Sequence, residues 1–178
     1  MSATPDPARQ VRRLALLFTD IVGSTRLLAQ LGDLAGNRLI QQHHRLAGRL
    51  LSDHGAGEFI NTGGDSMFLA FPDARAALRF ALALQRELRE WQKDQPPQRR
   101  IRDRMGLHVG EVEISRRPDG ARDLTGVAVS VAWSVQELAA ADQILLSEAA
   151  FDEARDAPDR GELAGFGELR WLNHGRFR

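Results

Sequence analysis

The chain predicts an α+β fold: a ferredoxin-like βαββαβ core, with an antiparallel sheet and helices, followed by a C-terminal αβ extension. Three observations carry this. The apolar run Leu14-Ala15-Leu16-Leu17-Phe18 ends at Asp20 and a small-residue turn, the pattern of a buried strand delivering an acid to its carboxyl end. Residues 58–71 read as strand, tight turn and strand around Gly63-Gly64-Asp65. Helical periods flank that hairpin, giving the order β, α, β, β, α, β of a split βαβ unit.

Residues 1–10 are polar and contain Pro5 and Pro7, so a flexible N-terminal arm is expected, with the folded domain over 11–178. The first strand is expected from roughly Arg12 to Asp20. Ser24 is placed to cap the helix after the turn. Leu27, Leu28, Leu31, Leu39, Ile40, Leu46, Leu50 and Leu51 hold a helical period to about Asp53, and Gly32 and Gly36 allow either two helices or one kinked helix. After the hairpin, Asp73 caps a long amphipathic helix from Ala74 to about Lys93, whose Ala and Leu stripe serves core or dimer packing. Gln95-Pro96-Pro97 stops it.

A strand from about Ile101 to Val109 follows, and Gly110 leads into a shorter one, Glu111 to Ser115. Residues 116–122 form a charged loop. A helix of small and apolar residues runs from Gly126 to about Ala140, a short strand covers Gln143–Leu146, and Ser147 caps another helix. Residues 161–167 read as loop. Glu168 to Leu172 reads as the start of a last strand that is incomplete at Arg178.

The bulk numbers narrow the function. At 178 residues one domain with one core is expected. Lysine plus arginine and aspartate plus glutamate both number 24, so no net field recruits nucleic acid or an anionic membrane. The lack of cysteine removes disulfides, thiolate metal sites and thiol nucleophiles. Neither a bilayer-length apolar segment nor a signal-peptide pattern is present, so the expected location is cytoplasmic.

In the split βαβ topology the first and third strands are central antiparallel neighbours, which brings Asp20 and Asp65 to one sheet edge. Paired carboxylates beside a turn into a helix suit divalent cations with phosphate. Hard oxygen ligands hold Mg²⁺ or Mn²⁺, and free amides over Ile21, Val22, Gly23, Ser24 and Thr25 accept phosphate oxygens. Two metals about 4 Å apart could activate a hydroxyl and neutralise a leaving group. Taken singly, Asp20 reads as a strand-end acid and Asp65 as a hairpin-turn residue. A phosphoacceptor aspartate, as in receiver domains, also sits at a strand end, and the hairpin acid separates the two readings.

Five blocks in order resemble class III adenylyl/guanylyl (nucleotidyl) cyclase catalytic domains. They are Phe18-Thr19-Asp20-Ile21-Val22-Gly23-Ser24-Thr25; Thr62-Gly63-Gly64-Asp65 with Phe68 and Phe71; Gly106-Leu107-His108-Val109-Gly110-Glu111-Val112; Asp123-Leu124-Thr125-Gly126 with Val129 and Ala132; and Ile144-Leu145-Leu146-Ser147. The resemblance covers about residues 12 to 175. It implies the fold of that family and a head-to-tail homodimer with sites at the interface. Asp20 and Asp65 of one subunit would bind two Mg²⁺ or Mn²⁺ ions with help from the Ile21 carbonyl, and the partner would read the base of a nucleoside triphosphate. The ribose 3′-hydroxyl would attack the α-phosphate and expel pyrophosphate.

The remaining roles fall on altered residues. The family's base-reading lysine is Asn61, its base-reading partner is kept as Asp123, and the transition-state asparagine and arginine fall at Ser130 and Ser134. A late lysine for the terminal phosphates aligns with Leu172. Asn61 keeps hydrogen-bonding capacity, so a changed base choice is expected. Loss of one preorganised cation or donor costs about 10²–10³ in rate, so the resemblance implies either a slow cyclase or a pseudocyclase that keeps metal, nucleotide and dimer without turnover. A different cyclase subunit could supply the missing groups.

Gly63-Gly64-Asp65 is also similar to the turn of diguanylate cyclases, but Ser66 stands where their next acid is expected. His43 and His44 read as an exposed, solvated pair, and His108 as a packed core histidine. Arg99, Arg100, Arg102 and Arg104 read as a solvated strand start, with triphosphate contact as a lesser option.

Overall fold

The computed structural model describes residues 10–155, 163, 165–166 and 169–175. Its central strand is β1 (Gln10–Ile21), apolar on both faces over Ala15, Leu16 and Leu17 and therefore covered from both sides. Strands β3 (Ser66–Phe71) and β4 (Asp103–Arg116) pair with it antiparallel. Strands β2 (Glu58–Gly63) and β5 (Arg122–Thr125) extend the sheet to the order β2-β3-β1-β4-β5, and β6 (Ile144–Leu146) lies parallel to the first half of β4. This is the predicted antiparallel βαββαβ core with its αβ extension.

The helices are α1 (Ser24–Leu31), α2 (Asp33–His54), α3 (Ala74–Trp91), α4 (Val127–Leu138) and α5 (Glu148–Arg155). One sheet face, carrying Ala15, Leu17, Met67, Leu69, Met105 and Leu107, packs on α2, α3 and α5. The other, carrying Leu16, Phe68, Val112 and Ile114, packs on Ala128 and Ala132 of α4. The α3 stripe is thus core packing, with Ala77, Ala81 and Leu84 fully buried. Asp73 caps α3 by accepting from the Ala76 amide at 2.8 Å, and Ser147 caps α5 by accepting from the Ala150 amide at 3.3 Å.

Several expectations are corrected. The residue preceding α1 is Gly23, left-handed at φ 73°, and Ser24 is already helical and makes no capping bond. Of the two alternatives for the helical stretch before the hairpin, two helices form, broken at Gly32. The two strands expected around Gly110 are one continuous β4. Its glycines exist for the close approach of α4: a Cβ on Gly106 would stand 2.1 Å from the Gln136 amide nitrogen, and one on Gly110 would stand 2.6 Å from the Ala128 Cβ. Strand β5, which the sequence reading did not include, begins at Arg122, the last residue of the expected charged loop, and pairs with the far half of β4.

At the other end of the chain, the last strand does not form over 169–172, which run without regular structure. The N-terminal arm over residues 1–9 and most of the 161–167 loop lie outside the described residues. Among the described residues no helix is long and apolar enough to cross a membrane.

Candidate active site

In the β1–β4 register Asp20 stands opposite Arg104, and Ile21 opposite Asp103. Alternation sends these two pairs to opposite faces of the sheet. On the α4 side, Arg104 donates to Asp20 Oδ2 from Nε at 2.9 Å and from Nη2 at 2.7 Å, and from Nη1 to the Glu137 carbonyl of α4 at 3.3 Å. Asp65, in the β2–β3 turn, lies within hydrogen-bonding reach of the Asp20 carboxyl. The two acids predicted to meet do meet.

Burial is the largest influence on Asp20 and raises its carboxyl above the ordinary value of 3.8. The Arg104 hydrogen bond pulls it back, and the charge of Asp65 pushes it up again. Two neighbouring carboxylates of this kind call for a cation, and Arg104 meets part of that demand. Among the described residues no group of three or more His, Cys, Asp or Glu side chains could hold a metal. A metal placed here would have the two carboxylates and the Ile21 carbonyl to hold it. That sparse, all-oxygen set fits Mg²⁺ or Mn²⁺, which keep several positions for water and phosphate oxygens.

In the turn expected to take phosphate, one amide already has a partner. The Val22 amide is spent on the Arg102 carbonyl at 2.8 Å, so it is not free for phosphate. Gly23, Ser24 and Thr25 stand at the start of α1, where first-turn amides have no intrahelical partner. Beneath the turn, Ile21 is buried against Ile40 and Ile101, which fixes the main chain that presents its carbonyl.

The other predicted residues are not gathered around Asp20. Asp123 pairs with Ser115, at the end of β4 opposite Arg104. Asn61 is exposed on β2 beside a bulge, opposite Phe68. The curled sheet brings its β2 and β5 edges together, joined by an Arg122–Glu58 ion pair and by Arg117 Nη2 donating to the Ile60 carbonyl at 3.2 Å. Ser130 and Ser134 lie on the solvent side of α4, near the exposed Val127, Trp133 and Leu138. Leu172 is 78% exposed.

The histidines are a correction. His43 is fully buried, and its Nε2 meets Asp103 Oδ2 at 2.9 Å. Burial raises the Asp103 carboxyl and the His43 hydrogen bond opposes this. His44 is half-buried, its Nε2 has no hydrogen-bond partner, and burial lowers its pKa from 6.5. His108 is half-buried rather than a core residue; its Nδ1 meets Ser147 Oγ at 2.8 Å, and burial, then the Arg13 charge, lowers its pKa. Arg102 pairs with Asp142 at 2.7 Å, and Arg100 donates to the Gln95 carbonyl at 3.0 Å. Sequence reasoning passed over the direct Arg104 contact, although strand alternation back from Gly106 already puts that side chain on the Asp20 face.

An antiparallel βαββαβ sheet with two acids meeting at the end of its central strand is the architecture of a nucleotide-cyclase-type α+β domain. The chain belongs to the adenylate and guanylate cyclase catalytic domain family, whose sequence profile matches residues 7–162. It is 29% identical over 150 residues to an adenylate cyclase of Streptomyces coelicolor, covering 83% of this chain and 36% of that protein. It is 26% identical over 138 residues to the serine/threonine-protein kinase pkn2 of Myxococcus xanthus, covering 78% of this chain and 16% of that one. The chain thus spans well under half the length of these curated relatives. The structure of the adenylyl cyclase CyaB from P. aeruginosa superposes with a TM-score of 0.71 at 23% identity, covering 83% of each chain, a likeness of fold.

Proposed function

We propose that this domain is a class III nucleotidyl cyclase that pairs head to tail with a second copy. In this reading it acts in the cytoplasm and converts a nucleoside triphosphate to a 3′,5′-cyclic nucleotide and pyrophosphate, slowly or with altered base selectivity. The observation that carries the reading is the meeting of Asp20 and Asp65 at the end of β1, beside the start of α1. Asp20, Asp65 and the Ile21 carbonyl would hold two Mg²⁺ or Mn²⁺ ions. Bound there, they would acidify the ribose 3′-hydroxyl and neutralise charge on the phosphates. The first-turn amides of Gly23, Ser24 and Thr25 receive phosphate oxygens. The 3′-oxygen bonds to the α-phosphorus, its proton passes to solvent, and the bond to the β-phosphate breaks with pyrophosphate as leaving group.

Pairing is supported by the distribution of the remaining groups. Asp123 and Asp20 occupy opposite ends of β4's span, so one nucleotide reaches both only if they come from different subunits. Asn61 and Asp123 then read the base, and Ser130 and Ser134 stand at the transition-state positions. Neither nucleic acid nor a membrane is a partner of this domain in this reading.

The second reading is a pseudocyclase, a nucleotide-binding and dimerising regulatory module. The short, uncharged side chains of Ser130 and Ser134, with Leu172 at the phosphate position, favour it. A heterodimer with a complementing cyclase chain would restore both groups. Incubating the protein with Mn²⁺ and each of the four ribonucleoside triphosphates decides. The cyclase reading expects a cyclic monophosphate that Asp65→Ala abolishes, and no product from any of the four sinks it. The pseudocyclase then expects metal-dependent nucleotide binding by calorimetry without turnover.

A further inference from the structure

The buried pair His43–Asp103 has no obvious place in the stability of the fold. Its side chains are 0% and 1% exposed, and a single 2.9 Å contact joins His43 Nε2 to Asp103 Oδ2. His43 Nδ1 and Asp103 Oδ1 have no hydrogen-bond partner. Two apolar side chains would fill the same space without leaving polar atoms bare, and such replacements of buried pairs are commonly neutral or stabilising. What distinguishes the pair is its position. Asp103 stands opposite Ile21, the residue that follows Asp20. The next residue, Arg104, holds the Asp20 carboxylate from the other face.

His43 belongs to the 22-residue helix α2, so its contact ties the first residue of β4, and with it the strand end that carries Arg104, to a rigid element behind the sheet. The neighbouring His44 makes no such tie: its Nε2 has no hydrogen-bond partner.

We propose that His43 is a positioning residue for Asp20, acting through Asp103 and the adjacent Arg104 on the end of β1. This rests on the reading of Asp20 and Asp65 as the metal pair. His43 touches neither the metal nor the substrate. It acts as an outer tie, and such ties typically change metal affinity by about 10–100-fold when removed.

The test compares the parent with His43→Leu/Asp103→Val and the conservative His43→Gln, whose amide nitrogen can stand where the imidazole Nε2 stands. Thermal unfolding, binding of Mn²⁺ alone by electron paramagnetic resonance, and the carboxyl-carbon NMR shift of Asp20 in metal-free protein at one fixed pH are measured on each. The apolar double variant is expected to melt no lower than the parent, to bind Mn²⁺ about tenfold more weakly or worse, and to shift the Asp20 carboxyl signal, while His43→Gln stays close to the parent. Parental Mn²⁺ affinity and an unmoved Asp20 signal in the double variant overturn the proposal. A parent that takes no Mn²⁺ overturns the metal reading instead, and the metal-free carboxyl signal still decides the positioning role.

Discussion

Arg104 grips Asp20 through Nε and Nη2, both on the same carboxylate oxygen, and the two residues are direct cross-strand partners at the ends of β4 and β1. The guanidinium occupies Oδ2, one of the two oxygens that Asp20 would offer a metal. Metal binding without nucleotide therefore competes with a charge-assisted bond, which contributes roughly 1.5–3 kcal/mol when well shielded and less at a partly open site. Arg104→Met is expected to tighten Mn²⁺ binding to the nucleotide-free protein by several-fold to about tenfold, measured by calorimetry. Weaker binding in the variant would show that Arg104 orients Asp20 for the metal rather than opposing it.

Proton competition gives a second expectation. Burial and the neighbouring Asp65 raise the Asp20 carboxyl above 3.8, and metal needs the ionised form. Mn²⁺ affinity should therefore begin to fall on acidification at a higher pH than an ordinary aspartate would give. For folding the sign is opposite. A raised carboxyl adds stability that is present below 3.8 and lost as pH rises through the folded value, so Asp20→Asn should stabilise the metal-free protein near neutral pH. Mn²⁺ titrations between pH 5 and 8, and urea unfolding of the variant at pH 7, check the two halves.

His44 and His108 report in the other direction. Burial depresses both, so the unfolded chain binds their protons first as pH falls. Their contribution to stability is complete above 6.5 and drains away below it toward the depressed folded values. Urea midpoints should fall between pH 7.5 and 5.5, and His108→Gln should flatten that slope by removing one of the two groups. A slope unchanged in the variant would assign the loss to other residues.

Strand order, the hairpin and the convergence of Asp20 with Asp65 were legible in the sequence because apolar period and turn chemistry act over a few residues. The environments of single side chains were not. The pair His43-His44 looks solvated in a polar stretch of α2, yet Asp103, sixty positions later, draws His43 into the core. Gly110 reads locally as a break, and only the approach of α4 shows why β4 passes straight through it. Arg104 reads like Arg99, Arg100 and Arg102 in one basic run, and only strand alternation back from Gly106 hints at its face; that its cross-strand partner is an acid shows only in the β1–β4 register. Strand β5 has four residues and exists only by pairing with β4, which no local pattern announces.

Gly106 tests how α4 is seated. A methyl at this position would meet main-chain atoms of Gln136 at 2.1 and 2.4 Å, and main chain cannot swing aside as a side-chain tip can. Gly106→Ala should therefore cost on the order of 3 kcal/mol in urea unfolding, at the upper end of ordinary overpacking. Because α4 carries Ser130 and Ser134, a variant that still folds should also lose any dimer-dependent activity disproportionately. A cost below about 1 kcal/mol would mean that α4 slides freely over β4.

The decisive substitution for catalysis lies on the other face of the same helix. Ser130 and Ser134 are exposed and one helical turn apart, so both point from α4 toward whatever packs there. Longer side chains at exposed helix positions change stability by only about 0.5 kcal/mol, and asparagine and arginine reach further than serine. Ser130→Asn combined with Ser134→Arg would place a donor and a fixed cation where charge develops on the transferred phosphate of the facing subunit. If the carboxylate half of the site is competent, cyclisation should rise about 10²–10³-fold, with unfolding unchanged. The rise should vanish again with Asp20→Ala, which would tie it to the paired acids. A double variant that folds, dimerises and binds Mn²⁺ and nucleotide but still gives no product would locate the defect elsewhere, with the neutral Asn61 and Leu172 positions the next to restore.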